Sequence, residues 1–215
     1  MTNPDLSLIA ALLDRSGSML SVVDDTCGGF DAFIATERAA GGTTEVTLAQ
    51  FDNEYEAVYQ NRPIQSVPPL RLEPRGSTAL LDAIGRFIAD VGGELARRPE
   101  DRRPGSVTVL VLTDGHENSS REWTKDAVQK LISEQEAKYS WDFVFLGANM
   151  DAVDVGTGLG FAAGKSLTYA ASSDGVAGAF ASVSAYQRRK RAAPAPERAG
   201  VAFDDDDRRR SRGAR

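Results

Sequence analysis

The sequence predicts an α/β fold: a doubly wound, mostly parallel sheet of about six strands, with one antiparallel edge strand and helices on both faces. Three observations lead to this prediction. Short apolar runs without alternation are typical of strands buried on both faces, as in parallel sheets covered by helices. Helical stretches with one apolar face separate these runs along the chain. Two alternating runs lie close together, which is typical of a hairpin at a sheet edge.

The buried strands are predicted from apolar runs rich in branched and aromatic residues. Three runs share this pattern, and they cover residues 6–13, 107–112 and 141–146. Residues 45–51 and 55–60 instead alternate around a short polar turn, so they predict the edge hairpin. A last, short strand is predicted at residues 167–169.

The helices are predicted from apolar residues that recur on one face. Four stretches have this periodicity: residues 22–38, 79–97, 123–138 and 174–187. The second stretch is the clearest, because Leu80, Ile84 and Phe87 begin a long series at helical spacing. The fourth is rich in alanine and follows Ser172-Ser173-Asp174, a sequence typical of an N-cap.

The periodicity stops at Arg188, which sets the predicted domain boundary. Residues 1–187 are expected to form one domain, and residues 188–215 a disordered, charged C-terminal tail. The tail holds a basic run, an Ala-Pro segment, a run of aspartates and a run of arginines. Nothing in that composition is expected to bury a core.

Composition excludes several classes of function. The chain has 215 residues, a net charge of −6 and one cysteine, Cys27. Its basic residues are concentrated in the tail, so the body is strongly acidic, which argues against nucleic-acid binding. No apolar run is long enough to cross a membrane, and the N-terminus lacks the basic start of a secretory signal. A lone cysteine fits a reducing compartment, so a cytoplasmic location is expected.

Three short polar segments, each after a predicted strand or turn, carry the oxygen chemistry of the chain. They are Asp14-Arg15-Ser16-Gly17-Ser18, Gly76-Ser77-Thr78 and Thr113-Asp114-Gly115. Asp14 and Asp114 each follow an inferred central strand, and ligands of doubly wound sheets bind at the carboxyl ends of such strands. Carboxylates and hydroxyls without His or Cys suit a small hard cation.

In this order, the three segments resemble the metal-ion-dependent adhesion site (MIDAS) of von Willebrand factor type A (vWA) domains. The resemblance implies an intact site that holds Mg²⁺ or Mn²⁺, in a vWA protein of the bacterial, intracellular type. It implies that Ser16 and Ser18 coordinate the cation directly and that Thr78 adds a third hydroxyl. It also implies that Asp14 and Asp114 act through water or at longer range.

The resemblance further implies a protein-binding module and no enzymatic activity. Neutral hydroxyls around the cation would leave its charge under-compensated, so an open position would attract an Asp or Glu of a protein partner. Arg15, whose side chain is expected to point outward, and Arg75, just before Gly76, could meet an acidic partner. His116 could be a rim residue that touches the partner or a metal-bound water, but an exposed loop histidine is the favoured expectation.

Other readings of the same residues exist. Asp14 and Asp114 could be helix N-caps, with the serines and Thr78 as turn residues. A magnesium-dependent hydrolase or phosphotransferase could use Asp14 as nucleophile, although such enzymes generally carry a second Asp where this chain has Ser16. A structural subunit whose loops are fixed by the metal is a third class.

Overall fold

The computed structural model describes residues 2–213 and confirms the predicted fold class. The strands are β1 (Asn3–Asp14), β2 (Thr43–Phe51), β3 (Tyr55–Pro63), β4 (Pro104–Thr113), β5 (Asp142–Ala148) and β6 (Ser166–Tyr169). They form one sheet in the order β3-β2-β1-β4-β5-β6, in which only the β2–β3 pair is antiparallel.

Within residues 2–213, six α-helices pack against the sheet. They are α1 (Val23–Ala39), α2 (Leu80–Arg97), α3 (Lys125–Tyr139), α4 (Ala152–Leu159), α5 (Ser173–Ala192) and α6 (Asp205–Ser211). No helix within residues 2–213 is long and apolar enough to span a lipid bilayer.

The sheet separates two apolar cores. Alternate residues of β1 explain why its sequence is apolar throughout: Leu8, Ala10 and Leu12 belong to the core under α2 and α3, whereas Ile9, Ala11 and Leu13 belong to the core under α1 and α5. The chain leaves β1 for β2 on one side and reaches β4 on the other. The carboxyl ends of β1 and β4 therefore form the switch point of the sheet.

A buried ion cluster lies at the start of β5, at the amino ends of the strands and therefore opposite the switch point. The Asp142 carboxylate pairs with the ammonium groups of Lys165 at 2.7 Å and Lys190 at 2.8 Å. It also accepts a hydrogen bond of 2.7 Å from the Tyr186 hydroxyl. Burial opposes ionisation, but the charges of Lys190 and Lys165 lower the pKa of Asp142 below its ordinary value. This cluster ties α5 to the sheet.

The expected disordered tail at residues 188–215 is not what the structure has, apart from residues 214–215, which lie outside the described part of the chain. Helix α5 runs on to Ala192, and α6 packs against α5 and the open edge of β6. The Ser211 hydroxyl donates to the Thr168 carbonyl at 2.8 Å, and the Ala170 amide donates to the Ser211 carbonyl at 2.9 Å. The domain boundary at residue 187 is therefore corrected, since α6 belongs to the body.

The order of charges explains why a polar segment is helical. Asp204 and Asp207 form a reciprocal capping box at the start of α6. Acidic side chains occupy its first turn and basic ones its last turn, so both ends suit the helix dipole. One aromatic residue anchors the segment: Phe203 is 5% exposed and its ring centroid lies 5.3 Å from that of Tyr186.

A chain that ends at Ala192 should therefore lose stability. We expect the free energy of unfolding to fall by about 3 kcal/mol, because Phe203 leaves its packing site and the β6 edge is uncovered. The melting temperature should then drop by about 6–12 °C. A chain that ends at Ser211 is the control and should melt like the full chain. Equal melting of both truncated chains would show that α6 contributes nothing to the body.

Candidate metal centre

The structure brings the ends of β1 and β4 together with the loop that follows β1. Asp14 is the last residue of β1 and is fully buried, and Asp114 follows β4 directly and is 6% exposed. The Ser18 hydroxyl donates to the Asp114 carboxylate at 2.5 Å, and the hydroxyl oxygens of Ser16 and Ser18 are 3.1 Å apart. The Ser16 amide donates to the Asp14 carboxylate at 2.6 Å.

Thr78 approaches the same point from the loop that precedes α2. A methyl group built on Gly115 would lie 2.7 Å from the Thr78 hydroxyl oxygen and 3.4 Å from that of Ser18. Both hydroxyls therefore face the space beside the Gly115 backbone, where only glycine leaves room. The structure thus groups all five residues predicted from the sequence: Asp14, Ser16, Ser18, Thr78 and Asp114.

Thr113 is a member of the site to which the sequence assigned no role, although it lies in one of the three polar segments. Its hydroxyl donates to the Asp14 carboxylate at 2.5 Å and accepts from the Gly115 amide at 3.1 Å. The side chain is buried in the last position of β4, where a threonine is an ordinary strand residue. Both oxygens of Asp14 thus have a donor, so the carboxylate is held in one orientation.

The N-cap reading does not match the structure. Helix α1 begins at Val23 and helix α3 begins at Lys125, so neither Asp14 nor Asp114 lies at a helix start. Thr124 caps α3 instead.

The donor set fits a small hard cation. Hydroxyl and carboxylate oxygens are the ligands that Mg²⁺ and Mn²⁺ take, and these residues supply only such atoms. Within residues 2–213 there is no group of three or more His, Cys, Asp or Glu side chains that could hold a metal. The site is therefore poor in charge and rich in hydroxyls, with Ser16, Ser18 and Thr78 as candidate direct ligands.

Both carboxyl groups of the site have raised pKa values in the absence of a cation. Burial raises the pKa of Asp14 to about 6, against the opposing hydrogen bonds from Thr113 and Ser16, and the nearby charge of Asp114 raises it further. Burial also raises the pKa of Asp114, although the hydrogen bond from Ser18 opposes this. Two buried carboxylates of raised pKa favour a bound cation or a bound proton.

This gives a pH dependence for the metal-free protein. Because the folded pKa of Asp14 exceeds its unfolded value, folding is favoured when Asp14 is protonated, and stability falls as the pH rises from about 4 through about 6. The loss assigned to Asp14 should be about 3 kcal/mol. Urea unfolding in chelator across this range measures it, and Asp14→Asn should remove that part of the slope. If the stability of the wild type and of the variant changed equally with pH, the raised pKa of Asp14 would be contradicted.

The loop after β4 is fastened to the start of α2. The Glu117 carboxylate accepts from the Leu81 amide at 2.8 Å and the Ser120 amide at 2.7 Å. The Asn118 side chain accepts from the Thr78 amide at 2.9 Å. These bonds hold Thr78 near Asp114. His116 is exposed in this loop, as expected.

Arg15 does not point outward as the sequence suggested. Its side chain is buried, and its guanidinium pairs with Asp52 at 3.0 Å and with Glu56 at 2.5 Å. Both acids lie on or near the β2–β3 turn, distant in sequence, so the motif alone could not show them.

Comparison with known proteins extends only to structure. No protein-family model matches the chain, and no curated protein matches it significantly. Proximal thread matrix protein 1 (PTMP1) from the mussel byssus, solved with a zinc-occupied MIDAS motif, matches with a TM-score of 0.58 at 16% identity over 84% of this chain. A von Willebrand factor type A structure from Catenulispora acidiphila gives 0.57 at 16% identity over 86%. A variant of the PilB minor pilin from Streptococcus sanguinis gives 0.54 at 12% identity over 87%.

These matches show that the chain has the fold of vWA domains. The chain spans 45%, 42% and 62% of the lengths of those proteins, so each of them contains further structure. At such identities the likeness is one of fold, and the function of this chain has to be argued from its own site.

Proposed function

We propose that this chain is a divalent-cation-dependent protein-binding module, which captures an Asp or Glu of a partner protein at the metal centre. One observation carries the proposal: three hydroxyls and two carboxylates from three separate loops converge at the switch point of the sheet. The zinc-occupied MIDAS motif of the mussel protein is consistent with a divalent cation on this fold. Mg²⁺ or Mn²⁺ is the cation that we propose here, because every donor atom is oxygen.

The residues of the chain have distinct roles in this proposal. Thr113 and the Ser16 amide fix the carboxylate of Asp14, and Ser18 fixes that of Asp114. Ser16, Ser18 and Thr78 present hydroxyl oxygens, which would hold the cation without cancelling its charge. The bound cation would supply a positive charge open to solvent, and a carboxylate of the partner would complete its coordination.

A metal-dependent hydrolase or phosphotransferase is less well supported. A nucleophilic Asp14 would need an accessible oxygen, whereas this side chain is fully buried and both its oxygens accept hydrogen bonds. We therefore propose a non-enzymatic role. Measurable Mg²⁺-dependent hydrolysis of a generic phosphate ester, lost in Asp14→Asn, would favour the enzyme instead.

The cellular location is inferred from the cysteine content. We propose a cytoplasmic protein of bacterial type, which is consistent with Cys27 being the only cysteine.

Partner capture tests the proposed function directly. The wild-type chain should retain a partner from a lysate of its source organism in Mg²⁺, release it in EDTA and recover it when Mg²⁺ is restored. Thr78→Ala should reduce capture by at least about tenfold while metal affinity falls less, because water can replace one hydroxyl ligand.

The matched control for this test is Thr36→Ala. Thr36 is an exposed threonine of α1 away from the site, and its replacement should change neither capture nor metal affinity. Capture that persists in excess EDTA would show that the partner uses another face.

A further inference from the structure

A buried carboxylate in the β2–β3 turn contacts both loops that carry the candidate hydroxyl ligands. Asp52 is fully buried, and one of its carboxylate oxygens accepts from Arg15 Nε at 3.0 Å and from Arg75 Nε at 2.8 Å. Its other oxygen accepts from the Glu54 amide at 2.7 Å. Neither oxygen is among the donors assigned to the cation.

The two arginines belong to different parts of the metal centre. Arg15 lies between Asp14 and Ser16, in the loop after β1, whereas Arg75 lies three residues before Thr78. One carboxylate oxygen therefore joins the loop of the two serines to the loop of Thr78. Despite burial, the hydrogen bonds from Arg75 and the Glu54 amide and the charge of Arg15 lower the pKa of Asp52, so it is ionised where it makes these contacts.

Backbone contacts follow the same path. The Arg75 amide donates to the Arg15 carbonyl at 2.8 Å, and the Gly17 amide donates to the Gly76 carbonyl at 3.2 Å. The Asp52 carbonyl accepts from the Ala79 amide at 2.9 Å, directly after Thr78. Asp52 is thus bonded on both sides of the Thr78 segment.

Close packing makes this connection rigid. Gly76 has a φ of +66°, and a methyl group built on it would lie 2.1 Å from the side-chain oxygen of Asn53. The turn that holds Asp52 therefore presses against the backbone two residues before Thr78. A shift of the turn has to move the Thr78 loop with it.

We infer that Asp52 is a positioning residue of the metal centre: through Arg15 and Arg75 it sets the separation between the Thr78 hydroxyl and the hydroxyls of Ser16 and Ser18. The inference rests on the proposed cation site and adds that the geometry of the site depends on charges in the neighbouring hairpin. Mutation of residues that orient the metal ligands without touching the metal commonly lowers metal affinity by about ten- to a hundredfold.

Arg75→Met provides the first test. Its side chain is 56% exposed and lies at the surface, so the variant keeps the buried Arg15–Asp52 pair and should fold. Arg97→Met is the matched control, because Arg97 is 76% exposed and pairs with Glu94 on α2 away from the site. We expect Arg75→Met to weaken Mn²⁺ binding by about tenfold in calorimetric titration, with a change in melting temperature no larger than that of the control.

A second readout separates positioning from simple stability. Water-proton relaxation of the Mn²⁺-loaded protein counts the waters bound to the cation. In Arg75→Met the Thr78 hydroxyl should move away from the cation, so that one more water binds and the count rises by about one. In Arg97→Met the count should equal that of the wild type. Arg75→Lys should recover part of the affinity, because an ammonium group can still pair with Asp52.

Each outcome decides a different statement. Absence of Mn²⁺ binding by the wild-type chain overturns both the proposed function and this inference. Wild-type binding with equal affinity and equal water count in Arg75→Met overturns the positioning role alone. Asp52→Asn should weaken Mn²⁺ binding more than Arg75→Met does, since an amide cannot pair with two guanidinium groups. An Asp52→Asn variant with wild-type Mn²⁺ affinity would also overturn the positioning role.

Discussion

Replacement of Asp14 by alanine should weaken Mn²⁺ or Mg²⁺ binding by at least about a hundredfold. Asp14 supplies one of two carboxylates at the site and orients the Ser16 amide at 2.6 Å, so both the charge and the loop geometry are lost. The sheet should remain folded, because Asp14 ends β1 and is not part of either apolar core. Calorimetric titration measures the affinity, and circular dichroism checks the fold.

Asp24→Ala is the matched control for this prediction. Asp24 is an exposed carboxylate in the first turn of α1, and it has no place in the site. Its loss should leave the affinity unchanged. If Asp14→Ala keeps wild-type affinity for Mn²⁺, the assignment of the site is wrong. A useful internal check is that, without metal, Asp14→Ala should lose less stability than the wild type as the pH rises through about 6, because only the part due to Asp14 is removed.

Replacement of Asp142 by alanine should produce the largest loss of stability. The variant would leave the ammonium groups of Lys165 and Lys190 buried without their shared carboxylate. Removal of one member of a buried ion pair costs about 3–5 kcal/mol, so the melting temperature should fall by about 10 °C or more. Urea unfolding measures the loss. Metal affinity should be unchanged in the folded variant, because the cluster lies at the amino ends of the strands and the metal centre at their carboxyl ends.

A triple variant tests the cause of that loss. Asp142→Leu combined with Lys165→Met and Lys190→Met removes all three charges while keeping the volume, and it should regain most of the lost stability. If the triple variant is as unstable as Asp142→Ala, uncompensated charge is not the reason, and packing around Tyr186 has to explain the loss.

The features that could be predicted from the sequence are those with local signals. The apolar runs gave the buried strands, and the alternation around residues 52–54 gave the one antiparallel strand. Asp14 and Asp114 were predictable as neighbours, because parallel central strands end at the same edge. Thr78 needed the resemblance as well, since its loop carries no periodicity.

The features that escaped prediction depend on partners distant in sequence. Arg15 was expected to face solvent, but its acceptors Asp52 and Glu56 come from the hairpin, 37 and 41 residues away. Thr113 looks like any strand threonine until Asp14 lies beside it. The charged tail was read by composition alone, which conceals the spacing of Asp204 and Asp207 that begins α6.

The cover that α6 places over β6 has a consequence for biosynthesis. Ser211, the last residue of α6, comes 42 residues after Tyr169, the last residue of β6. At about 5–20 residues per second, a ribosome needs about 2–8 s to add them. During that interval the nascent chain carries an uncovered strand edge, which is a template for pairing with other chains. Slow codons between β6 and α6 would lengthen the exposure, so the speed of translation over this stretch should affect the yield of folded protein.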